Sequence, residues 1–122
     1  MKSVLIADDQ NSIRLLVRAT IESEEYSIVE ACDGNQAWRL IQELHPDVVL
    51  LDVQMPGLSG LEVTRAVRDD SALFRTRIIL LTANTAKADV EAGVASGADL
   101  YLTKPFSPIE LLTVLDQALE IS

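Results

Sequence analysis

The 122-residue chain has a single cysteine, which excludes an internal disulfide and fits a reducing compartment, so a cytoplasmic location is expected. No apolar run approaches the ~18 residues that a membrane-spanning helix needs. The apolar stretch Val4–Ala7 is too short for the hydrophobic region of a signal peptide and runs straight into charge. Positive charge is scarce: 10 Lys and Arg stand against 19 Asp and Glu, for a net charge of −9. That deficit disfavours direct binding to nucleic acid or anionic lipid, both of which attract cationic surfaces. There is no Gly-x-Gly-x-x-Gly phosphate loop, no low-complexity tract and no linker-like segment. What is present is a 48% hydrophobic, 24% charged composition, the balance of a globular domain with a real core, and one domain over residues 1–122 is expected.

Short apolar runs alternate with helical periodicity. Strands are predicted at Ser3–Ala7, Tyr26–Ala31, Asp47–Leu51, Arg77–Leu81 and Ala98–Leu102. Val48–Leu51 and Ile78–Leu81 lack alternation, as strands buried on both faces do. Ile13, Leu16, Val17, Thr20 and Ile21 recur at helical spacing, and Asp33-x-x-Gln36 opens a second helix that His45-Pro46 stops. Ser59-x-x-Glu62 is a capping box for a third helix, which fades near Asp69 and Asp70. Asn84 or Thr85 caps a fourth that ends near Gly97, and Ser107-Pro108-Ile109-Glu110 starts the last. The inner positions of the fourth helix, Ala86, Val90, Gly93 and Val94, are small, so it buries least and is the expected moving part. Five strands alternating with five helices predict a doubly wound parallel α/β sheet with right-handed crossovers.

Carboxylates fall where the first and third strands end: Asp8 and Asp9, then Asp52. Open α/β sheets bind ligands beyond the carboxyl ends of their strands, and a strand spacing of about 4.8 Å brings such groups into one site. Two carboxylates ~4 Å apart repel by about 4 kcal/mol at an effective dielectric near 20. A hard divalent cation such as Mg2+ offsets this with one or two carboxylates and waters. An ammonium does so as well, and Lys104 follows the fifth strand, while Thr82 closes the fourth with a hydroxyl. A carboxylate nucleophile, a metal site and further donors are what phosphoryl transfer requires, with Asp52 as the nucleophile. Taken singly each residue has an ordinary reading: a turn residue for Asp52, a helix cap for Asp8-Asp9, a β-branched strand residue for Thr82, a solvated amine for Lys104. Their joint placement at one edge is what favours chemistry.

Other residues carry plainer expectations. Arg65, Arg68, Arg75 and Arg77 read as a solvated helix end and loop, and Trp38 as partly packed beside the second helix's apolar stripe. His45 reads as a partner of the helix C-terminal dipole and Cys32 as a small buried residue.

The segments VLIADDQ at 4–10, DG at 33–34, VLLDVQMPGLSG at 49–60, LLTAN at 80–84 and YLTKPF at 101–106 occur in order, each at a strand end. With them the whole chain resembles a response-regulator receiver domain of two-component (phosphorelay) signalling, similar to single-domain chemotaxis-type regulators. The resemblance implies a flavodoxin-like sheet in the order 2-1-3-4-5. It implies Asp52 as phosphoacceptor, supplied by a sensor histidine kinase or histidine phosphotransfer protein. Asp8 and Asp9 become the Mg2+ pair (Mn2+ being the alternative ion), with Asp52 and the backbone carbonyl of Gln54 completing the set and Asp9 the more direct ligand. Thr82 and Tyr101 resemble the switch pair, Lys104 the family lysine, and Lys104-Pro105 a cis bond. Gln54 and Asn84 stand where side chains tune dephosphorylation. Kinase docking falls to Ile13, Arg14, Val17 and Pro105–Phe106. The implied output is a changed surface of fourth helix, fifth strand and last helix, read by a protein target, a fused output domain or a phosphorylation-linked dimer. Such a protein is no conventional enzyme, yet catalyses its own phosphorylation and dephosphorylation. An aspartyl phosphatase would place a second Asp where Gln54 stands, a flavodoxin-like cofactor site would be repelled by Asp8-Asp9, and a binding-only receiver would have no need of the intact set.

Overall fold

In the computed structural model, residues 2–22, 25–83, 91 and 95–120 are described. Strands β1 (Lys2–Ala7), β2 (Tyr26–Ala31), β3 (Val48–Asp52), β4 (Arg77–Thr82) and β5 (Leu100–Thr103) form one parallel sheet in the order β2-β1-β3-β4-β5. Helices α1 (Asn11–Ile21), α2 (Gly34–Leu44), α3 (Gly60–Asp69) and a C-terminal helix (Pro108–Glu120) flank it, with a 3-10 turn at Ser71–Leu73. The expected fourth helix falls largely outside the described residues; within its range Glu91, Ala95 and Ser96 are helical and Gly97 has φ 103°.

Side-chain parity divides the core. Val4, Ile6, Val48, Leu50, Ile79 and Leu81 point to the face covered by α1 and the C-terminal helix. Leu5, Ala7, Val49, Leu51, Ile78 and Leu80 point to the face covered by α2 and α3. Both faces of β3 are therefore buried, which is why its sequence shows no alternation. Six strand limits differ by one or two residues from the sequence reading: the start of β1, both ends of β3, the end of β4 and both ends of β5. β3 begins at Val48; Asp47 before it still bonds both neighbours through its main chain, and its carboxylate accepts from the Ser3 N–H at 2.8 Å. β4 runs on to Thr82, paired with Thr103. β5 starts at Leu100, after Asp99, whose N–H donates to the Ile78 carbonyl at 2.9 Å and whose carboxylate accepts from the Ile78 N–H at 2.8 Å.

The helix starts follow the capping chemistry. Ser59 and Glu62 form a reciprocal capping box, as do Ser107 and Glu110. The Asp33 side chain accepts from the Gln36 N–H at 2.7 Å, while the Gln36 side chain turns back to the Cys32 N–H at 2.8 Å. His45 ends α2 in the left-handed region at φ 47°. Trp38 is partly buried against the α2/α3 face.

Four single-residue expectations are corrected. Val17 is fully buried and Phe106 is 8% exposed, both in the core beneath α1 and the C-terminal helix, so neither is available to a docking partner; Leu15, 56% exposed, occupies the outer face of α1. Cys32 is exposed because β2 ends at Ala31 and Cys32 lies in the turn to α2. Arg68 is no solvated side chain: it donates to the Gly97 carbonyl at 2.8 Å, the Thr76 carbonyl at 2.8 Å and Asp99 at 2.6 Å. It ties α3 to the segments before β4 and β5. Among the described residues no helix is long and apolar enough to cross a membrane.

The turn after β3 is clamped at two points. The Gly34 N–H donates to the Pro56 carbonyl at 3.1 Å, and the Gly60 N–H to the Val53 carbonyl at 3.0 Å. A Cβ on Gly60 would collide with the Asp52 backbone carbonyl, which has no flexible end to move aside. Gly60→Ala is expected to destabilise the domain by about 1–3 kcal/mol, the range of overpacking, measured as a lowered urea midpoint at unchanged slope.

Candidate functional site

Sheet register assembles the site. Ala7 pairs with Leu51 and Asp52 with Leu81, so Asp8 stands level with Asp52 on the neighbouring strand. Thr82 pairs with Thr103, which sets Lys104 at the same edge, and the Lys104 N–H donates to the Thr82 carbonyl at 2.8 Å. The Lys104–Pro105 peptide is cis. Asp8 is fully buried, Asp52 is 7% exposed and Asp9 is exposed. One carboxylate oxygen from each of the three lies within 4.8 Å of the others. Lys104 Nζ stands between two of them, 2.6 Å from Asp8 Oδ2 and 3.2 Å from Asp52 Oδ2. The remaining oxygens are held by backbone: Gln10 N–H donates to Asp8 Oδ1 at 2.9 Å and Gln54 N–H to Asp52 Oδ1 at 3.2 Å.

These groups open on a cavity of about 330 Å³ lined by Asp9, Asp52, Gln54, Thr82, Tyr101 and Lys104. Thr82 is buried and Tyr101 half-buried. Asn84 lies outside the described residues. Burial and the Asp8 charge push the Asp52 carboxyl above its ordinary value, against the opposing pull of Lys104 and the Gln54 N–H. Burial alone would lower Lys104, but its hydrogen bond to Asp8 and the charges of Asp52 and Asp8 outweigh that, so its ammonium is held above the ordinary lysine value. Burial raises the Tyr101 phenol. The two shifts have different leading causes: burial together with the Asp8 charge raises Asp52, while the two flanking carboxylates raise Lys104.

With Asp9 added, three carboxylates face one ammonium. The donors are all hard oxygens, and those of Asp9 and Asp52 border the cavity. That set fits a hard divalent cation, which tolerates few protein ligands and keeps its waters.

The resemblance assigns Arg14 to docking, but the structure turns its side chain inward. Its Nη1 donates to the Asp8 carbonyl at 2.7 Å, its Nη2 to Asn11 at 3.1 Å and its Nε to Glu30 at 3.1 Å. Arg18 grips the other Glu30 oxygen at 2.9 Å. Asp8 is thus fixed by side chain and main chain together. The available signal was a pair of arginines four residues apart on α1 and a lone acid, Glu30, inside an apolar strand.

Two outcomes follow from this geometry. Asp52→Asn removes an under-compensated buried charge, so in metal-free buffer it should stabilise the domain by about 1–2 kcal/mol, seen as a Tm several degrees higher. Folded Asp52 holds its proton more tightly than the unfolded chain does, so the wild type loses ground to the variant as pH rises through the window from 3.8 to the raised folded value, and the gap closes below it. If the acidic edge takes up a divalent cation, Arg14→Met should weaken that binding roughly tenfold by releasing the Asp8 main chain, as loss of an outer-shell partner does, measured by isothermal titration with Mg2+ on a variant whose circular dichroism matches wild type.

A sequence model of the family described as response regulator receiver domain matches residues 4–116. The DNA-binding response regulator MtrA of Mycolicibacterium paratuberculosis is 40% identical over 109 residues, covering 89% of this chain and 47% of that protein. The protein of the same name from Mycobacterium leprae matches with the same identity and coverage. The chain spans about half the length of these curated relatives. Among solved structures, the chemotaxis response regulator CheY4 of Vibrio cholerae superposes with a TM-score of 0.91 at 38% identity, covering 97% of this chain and 98% of that one. The receiver domain of Francisella response regulator 1452 does so at 0.89 and 31%, covering 98% of each chain. Since the family match begins in β1 and ends inside the C-terminal helix, it takes in every strand and every residue that frames the acidic edge: this chain belongs to the response regulator receiver domains, the phosphorylation-dependent switches of two-component signalling.

Proposed function

We propose that Asp52 accepts the phosphoryl group, from a sensor histidine kinase or a histidine phosphotransfer protein, and that Asp8, Asp9, Asp52 and the backbone carbonyl of Gln54 hold Mg2+. The observation that supports this best is the state of Asp52: nearly buried, yet facing the cavity, with its oxygens oriented by the Gln54 N–H and the Lys104 ammonium. A free carboxylate is a weak nucleophile, so fixed orientation and local positive charge must supply most of the acceleration. An Asp52 oxygen attacks the phosphorus of phosphohistidine, the N–P bond breaks, its electron pair returns to the imidazole, and an acyl phosphate remains. Bound at the carboxylates, Mg2+ supplies charge against the transferring oxygens.

Lys104 is placed to pair with the new dianion, exchanging part of its hold on Asp8 and Asp52 for the phosphoryl oxygens. Thr82 lines the same cavity and offers its hydroxyl; Tyr101, beside it, is the group that turns when Thr82 moves. A shift from 1:99 to 99:1 between two states needs about 5.5 kcal/mol, and a few charge-assisted bonds at roughly 1.5–3 kcal/mol each are on that scale. Gln54 is a neutral amide beside the attack site and sets lifetime without acting as a base; Asn84 has the same proposed role.

The reporter is the surface of β5, the C-terminal helix and the fourth helix, and its reader is a protein target or a fused output domain. The MtrA relatives are named DNA-binding. A charge of −9 supports an output through protein contact rather than direct DNA contact by these residues. Cytoplasmic action goes with a kinase donor of this kind. Incubation with radiolabelled acetyl phosphate and Mg2+ is expected to label the wild type and not Asp52→Asn, and chelation of the metal to abolish labelling. Equal uptake by both proteins would contradict the assignment.

A further inference from the structure

At the other end of the sheet, the starts of β1 and β4 carry Lys2 and Arg77. With Phe74, Arg75 and Leu119 they border a second cavity of about 650 Å³. Phe74 is 66% exposed, and the Arg75 guanidinium lies 5.3 Å from its ring centroid. Among the described residues, Lys2, Arg75 and Arg77 enter no ion pair. The acid in this lining, Asp47, has Oδ2 committed to the Ser3 N–H at 2.8 Å and hydroxyl at 3.3 Å. Three cations therefore share a cleft with one engaged acid, in a chain whose net charge is −9.

The cleft is held in shape by its surroundings. Leu73 is buried, the Thr76 N–H donates to the Leu73 carbonyl at 3.1 Å, and Arg68 clamps the Thr76 carbonyl at 2.8 Å. The Arg77 N–H donates to the Asp47 carbonyl at 3.0 Å. Phe74 and Arg75 thus project from an anchored turn. An exposed aromatic ring with arginines around it is the composition that carries energy at protein interfaces.

We propose that this cleft docks an acidic polypeptide segment bearing a central aromatic residue. Charge complementarity selects the occupant. A chain at −9 repels an acidic segment over most of its surface, so a local excess of cations both attracts it and fixes where it lands. Arginine forks suit carboxylates bidentately, and the Phe74–Leu119 wall takes an aromatic side chain. A nucleic acid is the poorer fit, since a long polyanion would extend past three cations onto acidic surface. The cleft lies a strand length from Asp52, about 17 Å for five residues. Docking there leaves β5 and the outer face of the C-terminal helix free and does not depend on the role assigned to Asp52.

The test is an amide NMR titration of the chain with the capped synthetic peptide EEDWDEE. Parallel arms use the same peptide with a central glycine and a short DNA duplex. Shift changes are expected at Lys2 and Phe74–Arg77, with submillimolar affinity that falls with salt and is the same with and without acetyl phosphate and Mg2+. At least tenfold weakening is expected for Arg75→Glu/Arg77→Glu and for the glycine peptide, with thermal unfolding and phosphoryl uptake of the variant unchanged. Absence of shifts up to about 2 mM peptide, a binding energy below roughly 4 kcal/mol, would overturn the proposal. So would equal affinity for the charge-reversed variant, shifts centred on the Asp52 cavity, or tighter binding of the DNA duplex at this cleft.

Discussion

Lys104 bridges two carboxylates at the ends of neighbouring strands. Its Nζ sits 2.6 Å from Asp8 and 3.2 Å from Asp52, beneath little solvent. Each acid needs that partner, because a buried carboxylate without one is costly. One ammonium for two carboxylates is an unstable compromise, and that is its use. Any further cation or donor arriving at the cavity relieves Asp52, and any dianion formed on Asp52 competes for Lys104. A site satisfied completely would have no reason to respond.

The sheet exists around that compromise. Five parallel strands end at a common edge, and the register sets Asp8 beside Asp52 and Lys104 beyond Thr82. The ladders of β3 with β1 and β4, together with the Asp47 bonds to Ser3 at its start, fix the register of Asp52. Gly60 brings the start of α3 against the Asp52 backbone, and Arg14 secures the Asp8 carbonyl from the other side. Packing energy from two separate core layers is thereby converted into positional accuracy at a few oxygen atoms.

Much of this was legible in the sequence because strand ends and helix starts carry strong local signals. Asp8, Asp9, Asp52, Thr82 and Lys104 each follow an apolar run, and Ser59-x-x-Glu62 and Ser107-x-x-Glu110 cap helices as their hydrogen-bonding groups require. The failures concern long-range partners. Val17 already falls on the apolar stripe of α1 and only the resemblance assigned it to docking; it and Phe106 are core by packing. Cys32 resembles a core residue and lies in a turn. Arg14 and Arg68 look like solvated helix charges, yet each reaches across to a backbone carbonyl that no local pattern announces. Spacing reveals which face a residue occupies, not which distant acceptor waits there.

The two ends of the molecule are electrostatic opposites: acid gathered at the strand C-termini, cations gathered at the N-termini around Phe74. The proposed phosphoryl chemistry is assigned to the first, and within it to the shared ammonium. A double-mutant cycle in metal-free buffer with Lys104→Ala and Asp52→Asn measures that sharing directly. Coupling of about 1–3 kcal/mol is expected, with Lys104→Ala far more damaging when Asp52 is ionised than when it is an amide; stabilities that add within about 0.5 kcal/mol would contradict it.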